Sequence, residues 1–208
     1  MSTYRLYAMN GWGSVIAEAG FAVAGIPLEI VEIDIEKDED RQRLRALNPL
    51  AQLPTLILPD GRVMTESAAI VLHLADLRPD SGLAPPADAP ERPEFLRWLV
   101  FLVAAVYPTF AYGDNPLTWV TDREAQAELT RRAIEHRSAL YTMLEGQVSP
   151  RPWFLGTRFS ALDIYICAMS HWRPRRPWFK ENCPKLYGIA LAADTHPAIK
   201  DVWRRNFG

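Results

Sequence analysis

Cysteine is scarce in this chain. Cys167 and Cys183 are the only two among 208 residues, and no CxxC pair occurs. A disulfide framework and a zinc ribbon both need several cysteines at short spacing, so both are excluded. Neither sign of charge dominates, since 23 Lys+Arg face 25 Asp+Glu for a formal net charge of −2. A protein that holds nucleic acid by neutralising phosphates needs a cationic excess, so no nucleic-acid partner is expected. No uninterrupted apolar run approaches the roughly 18 residues that suggest a transmembrane helix. The start of the chain runs from Met1 into alternating apolar positions, without the basic and apolar segments of a leader. No membrane partner is therefore expected, and the cytoplasm is the expected location. The four histidines, His73, His136, His171 and His196, show no ligand spacing with one another or with either cysteine, so no metal site is expected.

What the chain does have is enough apolar material for a core, 49% of its residues. Residues 4–9 read as a strand. Val15 to Gly25 reads as a helix that Ser14 would cap and Gly25 with Pro27 would stop. Leu28 to Ile35 alternates apolar and acidic residues as a half-buried strand does. The charged run from Glu36 to Arg43 leads into a short exposed helix ended by Asn48-Pro49. Leu53 to Leu58, the turn Pro59-Asp60-Gly61 and Arg62-Val63-Met64 predict an antiparallel hairpin, and a helix follows over about 66–77. The stretch Arg78 to Pro90 is rich in Pro, Gly and Asp, and beyond it the pattern is purely helical. The expected division is 1–80 and 81–208. Predicted helices cover 92–112, bent or broken at Pro108, then 122–146, 184–193 and 196–206. Another opens at Ser160-Ala161-Leu162-Asp163, a capping-box spacing. That helix is apolar nearly all round, which places it at the centre of the second part, with Cys167 as a small buried hydrophobe.

At this point the chain resembles the cytosolic glutathione S-transferases. The resemblance is carried by Asn48-Pro49-Leu50-Ala51-Gln52-Leu53-Pro54-Thr55-Leu56, Leu58-Pro59-Asp60-Gly61, Thr65-Glu66-Ser67-Ala68-Ala69-Ile70 and Phe159-Ser160-Ala161-Leu162-Asp163, in that order over nearly the whole length. It implies an α/β plus all-α fold, with a thioredoxin-like N-terminal domain followed by a helical-bundle C-terminal domain. It also implies glutathione as co-substrate and a homodimer. A cis Pro54 would turn the backbone of Leu53 outward as an unpaired strand edge, where the cysteinyl backbone of glutathione pairs by β-addition. The Ser67 hydroxyl and free helix N–H groups would hold the γ-glutamyl carboxylate, Glu66 its ammonium and Gln52 the glycyl end.

The catalytic position departs from the family pattern. Members carry Tyr, Ser or Cys just after the first strand, but this chain reads Asn10-Gly11-Trp12-Gly13-Ser14, with Gly11 and Gly13 where Ser or Cys usually stands. Without a cysteine there, disulfide-exchange chemistry is disfavoured. Ser14 and Asn10 are the nearest donors able to stabilise a thiolate, together with the backbone N–H groups that open the first helix. Ser14 serves equally well as a plain cap. The expected acceptor pocket is an aromatic wall of Trp12, Tyr107, Phe110, Tyr112 and Trp119, suited to a small hydrophobic electrophile. The run Trp172-Arg173-Pro174-Arg175-Arg176-Pro177-Trp178 reads as a proline-stiffened loop. The leading expectation is a glutathione transferase. The alternatives are a glutathione-binding or protein-interaction module with little turnover, and a glutathione-dependent isomerase, lyase or peroxidase.

Overall fold

The computed structural model describes residues 3–208. Met1 and Ser2, the start of the stretch read as lacking leader segments, lie outside them. The first part contains β1 (Tyr4–Ala8), α1 (Ser14–Ala24), β2 (Leu28–Glu32), α2 (Asp38–Arg45), β3 (Thr55–Ile57), β4 (Val63–Thr65) and α3 (Ser67–Leu77). The strands among the described residues form one sheet in the order β2-β1-β3-β4. β1 runs parallel to β2 and antiparallel to β3, and β3 pairs antiparallel with β4. α1 ends at Gly25, whose φ of 63° is the left-handed conformation that glycine adopts without a Cβ penalty.

Two local expectations shift. β2 stops at Glu32 rather than Ile35, because Asp34 turns the chain. Its backbone N–H donates to Asp40 Oδ2 at 2.8 Å, while its own Oδ1 accepts from the Glu36 N–H at 3.1 Å. Ser14 does not cap α1: Gly13 occupies the cap position, and Ser14 is the first helical residue.

The second part is helical: α4 (Arg92–Phe101), α5 (Pro108–Asp114), α6 (Arg123–Gln147), α7 (Ala161–His171), α8 (Arg176–Asn182), α9 (Pro184–Asp194) and α10 (Lys200–Phe207). Between α4 and α5, Leu102–Val106 form a single π turn, and the Tyr107 N–H donates to the Leu102 carbonyl five residues back at 2.9 Å. Pro108, which has no N–H to donate, then opens α5. The run Arg92–Asp114 has the length and hydropathy of a membrane-crossing helix. Phe95, Trp98, Leu99, Leu102, Val106 and Phe110 bury its apolar face inside the fold, as in the core helix of a globular protein. The basic, aromatic run expected as a loop becomes helical from Arg176, because Pro177 sits in the first turn, where a missing N–H costs nothing.

One continuous apolar cluster joins the two parts, running from Leu6, Val15 and Ile16 through Ile70 and Leu74 to Trp98, Leu102, Ile164 and Ile166. α7 lies at its centre, with Ala161 through Ser170 all buried. Its start is the expected capping box: Ser160 Oγ accepts from the Leu162 N–H at 3.3 Å, and the Asp163 carboxylate accepts from the Ser160 N–H at 2.7 Å. The other Asp163 oxygen accepts from the Phe154 N–H at 2.7 Å. Asp163 thus ties the preceding loop to the helix.

The end of the chain folds back on the first part. Glu18, 6% exposed in α1, pairs with Arg205 and accepts from Asn206 Nδ2, and the His171 ring stacks on Phe207 at 3.8 Å. Burial, with Arg176 nearby, pulls the His171 imidazole from 6.5 down to about 4.

Two outcomes follow. Asp163→Ala removes the cap carboxylate and leaves two buried N–H groups unpaired, so it should lower unfolding free energy by about 2–4 kcal/mol in urea titration. A loss below 1 kcal/mol would contradict the tie. His171 binds fewer protons folded than unfolded between pH 4 and 6.5, so its contribution is complete above 6.5 and is lost as pH falls through that window. The urea midpoint of His171→Phe, which keeps an aromatic ring against Phe207, should therefore fall less steeply over that window than that of the wild type. Identical slopes would contradict this.

Candidate active site

Three backbone segments meet at one end of the sheet. The first is Gln52–Thr55. The Leu53-Pro54 bond is cis, and neither the N–H nor the C=O of Leu53 has a hydrogen-bond partner among the described residues. Buried Asn48 fixes this segment: its Nδ2 donates to the Gln52 carbonyl and to Thr55 Oγ1, both at 3.1 Å, and its Oδ1 accepts from the Leu50 N–H at 3.1 Å. The sequence marks Asn48 as a helix end and as the start of the family motif, with no role of its own. The Gln52 side chain is exposed, with no protein partner among the described residues.

The second segment is the start of α3. Glu66 holds φ at 64° in a region that non-glycine residues rarely occupy. Its side chain is exposed beside a helix start whose Ser67, Ala68 and Ala69 N–H groups have no acceptor among the described residues. Ser67 is 8% exposed, and its Oγ lies 2.6 Å from Tyr165 Oη on α7. Tyr165 is buried, and burial raises its phenol well above the ordinary range, so it stays protonated. With Tyr165 donating to Ser67 Oγ, the Ser67 proton is free for an acceptor outside the protein.

The third segment is the loop from β1 into α1. Gly11 has a φ of 76°; its N–H donates to Asn206 Oδ1 at 3.1 Å, and its carbonyl accepts from Trp172 Nε1 at 2.7 Å. The helical part therefore holds this loop from two sides. Of the two candidate thiolate stabilisers, Asn10 is exposed, and its amide has no partner among the described residues. Ser14 is 1% exposed, and its hydroxyl is committed to Met9, donating to the carbonyl at 3.2 Å and accepting from the N–H at 3.2 Å. The first-helix hydroxyl thus serves the fold. Two N–H groups at that helix start, those of Gly13 and Ser14, have no acceptor among the described residues.

The expected aromatic wall divides. Tyr107 and Phe110 pack edge-on against Trp172, with ring centroids 5.8 and 5.2 Å away, and Phe110 is core rather than pocket surface. Tyr112 and Trp119 form a separate exposed pair at 4.8 Å, and Trp12 is exposed on the loop. Trp172, expected in a loop, is the residue that joins the wall to Gly11.

Buried Arg137 locks this corner. Its Nε donates to Thr109 Oγ1 at 2.9 Å, its two terminal nitrogens donate to the Thr109 and Arg173 carbonyls at 2.8 Å, and its guanidinium lies 3.7 Å from the Phe110 ring centre. An open cavity of about 300 Å³ lies alongside, lined by Asp114, His171, Trp172, Arg173 and Arg175.

The fold also gathers Cys167, His171 and Asp194, whose ligand atoms lie within 4.8 Å of one another, a proximity the sequence spacing did not reveal. The Arg176 guanidinium already neutralises that cluster, donating to both Asp194 oxygens at 2.6 and 2.8 Å and to Cys167 Sγ at 3.6 Å.

The family model for the N-terminal domain of glutathione S-transferase matches residues 19–77. The GST-like protein YncG of Escherichia coli is 41% identical over 204 residues, covering 97% of this chain and 98% of that protein. Glutathione S-transferase GST-4.5 of Xanthomonas campestris is 28% identical over 81% of each chain. A sphingomonad glutathione S-transferase complexed with glutathione superposes with a TM-score of 0.77 at 26% identity, over 96% of this chain and 97% of its own. A glutathione transferase homologue from Sulfitobacter with bound glutathione gives 0.85 at 21% identity over 98% of each. The fold, the arrangement around Leu53 and Ser67, and the near full-length match to the Escherichia coli protein lead to one conclusion: this chain belongs to the glutathione S-transferase family.

Proposed function

We propose that this protein binds glutathione and transfers its thiolate to a small hydrophobic electrophile. The observation that carries the reading is the pairing of two unfilled backbone sites. One is the free N–H and C=O of Leu53, and the other is the free N–H groups of Ser67, Ala68 and Ala69. A short peptide ending in an α-amino acid fits both at once, because its middle residue adds to the Leu53 edge while its carboxylate meets the helix start. The Ser67 hydroxyl faces that carboxylate, Glu66 faces the ammonium, and the Gln52 amide faces the glycyl end. The sulfur then lies toward the Gly13 end of α1, where unpaired N–H groups and the helix dipole favour negative charge.

The electrophile enters beside Trp12, Tyr107 and Trp172, and the cavity at Arg173 and Arg175 gives it room. The fold holds glutathione and electrophile together, and that proximity carries much of the rate. We assign the protein to the cytoplasm as a homodimer. Leu96 and Val100 of α4 and Met143 of α6, all exposed and apolar, offer a second copy its contact face.

Calorimetric titration with glutathione tests the reading. The wild type should bind, and Ser67→Ala should weaken binding by about tenfold or more, the value of a hydrogen bond to a charged group. Absence of binding by the wild type, or unchanged affinity in Ser67→Ala, would contradict it. Turnover of an activated aryl chloride separates the transferase from a module that only binds. In light scattering a dimer is expected, and a monomer would contradict the assigned contact.

A further inference from the structure

Gly11 and Gly13 both stand where the family pattern places a reactive side chain, but their surroundings differ. A Cβ built on Gly11 meets the Asn206 carbonyl at 3.4 Å and the Phe207 ring at 3.7 Å, so its space is taken by packing from α10. A Cβ built on Gly13 falls on the hydroxyl of Tyr107 and lies 3.5 Å from the Leu53 carbonyl oxygen. The space of a side chain at position 13 is thus occupied by a phenolic oxygen delivered from the helical part. That oxygen is buried, and it has no hydrogen-bond partner among the described residues.

An unpartnered polar atom in the interior costs free energy, and Trp98 Nε1, Tyr141 Oη and His171 Nε2 share that state, but of the four it is the Tyr107 hydroxyl that lies against Gly13. Its position is firmly held. The π turn at Leu102–Val106 and Pro108 set the backbone at residue 107. The Phe110 ring, 6.0 Å away, and the Trp172 ring, 5.8 Å away, pack against the phenol, and Trp172 is itself bonded to the Gly11 carbonyl. The neighbourhood is the unpaired start of α1 and the residue whose backbone would pair with the cysteinyl unit of glutathione.

We propose that Tyr107 is a catalytic residue whose hydroxyl donates a hydrogen bond to the glutathione sulfur, supplying from the helical part the donor that Gly13 cannot supply. This rests on the glutathione reading above. The thiol proton leaves to solvent, the negative charge stays on sulfur, and Tyr107 keeps its own proton. Burial raises the Tyr107 phenol far above its ordinary value, so it acts as a donor and does not ionise. The absence of a side chain at 13 is then a requirement, because any Cβ there would displace the hydroxyl.

The test uses the full-length protein and three variants: Tyr107→Phe, Gly13→Ser, and the two combined. Glutathione affinity is read by calorimetry, the pKa of the bound thiol by ultraviolet titration, and folding by thermal melting. The wild type should bind glutathione with a lowered thiol pKa. Tyr107→Phe should bind within about threefold of the wild type and melt no lower, since the hydroxyl it removes has no partner. Its bound thiol should titrate about one to two pH units higher, a 10- to 100-fold loss of thiolate stabilisation. Gly13→Ser alone should melt lower. In the Tyr107→Phe background the same change should be tolerated, since the new Cβ then meets the ring carbon and the Leu53 carbonyl oxygen at 3.5 Å, both ordinary contacts, and should lower the thiol pKa again.

Equal thiol pKa values in the wild type and Tyr107→Phe, or a large drop in melting temperature for Tyr107→Phe, would overturn the proposal while leaving glutathione binding intact. Failure of the wild type to bind glutathione would instead overturn the reading of the site, and this proposal with it.

Discussion

A missing Cβ at the mouth of α1 governs how this site is assembled. Because position 13 carries only hydrogen, the helical part can bring the Tyr107 hydroxyl against the start of a helix that belongs to the sheet-bearing part. The same loop is held at Gly11 by Trp172 and by Asn206, which come from after α7 and from the last helix. Two glycines therefore convert what is elsewhere a local motif into a long-range construction. Its geometry depends on the continuous apolar cluster that fixes the two parts together.

Three buried charges act as joints that are satisfied inside the protein. Asp163 accepts two short backbone hydrogen bonds, Arg137 donates to Thr109 and Arg173, and Glu18 meets Arg205 and Asn206. Asp163, Arg137 and Glu18 are buried, and each joins segments far apart in sequence or closes a helix start. At the site the Leu53 backbone, the N–H groups opening α1 and α3, and the Tyr107 hydroxyl have no partners among the described residues, while Trp98 Nε1, Tyr141 Oη and His171 Nε2 are buried and unpartnered elsewhere. The open backbone groups at Leu53 and at the starts of α1 and α3 are ones that a peptide ligand can fill.

Much of this was legible in the sequence wherever the signal is local. The strand and helix order, the helix start at Glu66-Ser67 and the capping box at Ser160 follow from turn, cap and periodicity rules acting over a few residues, while the cis-proline edge at Leu53-Pro54 comes with the family resemblance. What escaped depends on approach between distant segments. Ser14 reads as either a thiolate donor or a plain cap, because nothing nearby in sequence marks the Met9 backbone as its partner. Tyr107 was placed in the acceptor wall with Phe110, Tyr112 and Trp119, since the π turn that redirects it leaves no mark in the hydrophobic pattern. Trp172 and Arg137 act through contacts 161 and 36 positions away, which no spacing rule reaches. The Gly-Trp-Gly triplet was the one visible trace: an absence of side chains that only the opposing residue explains.

The account stands on where the sulfur of bound glutathione lies, and a crystal structure of the complex measures that directly. It predicts the cysteinyl backbone paired with Leu53, and the sulfur within hydrogen-bond distance of Tyr107 Oη at the start of α1, with Ser14 still bonded to Met9. A sulfur directed away from Tyr107, or one contacted by a Ser14 hydroxyl that has left Met9, would contradict it.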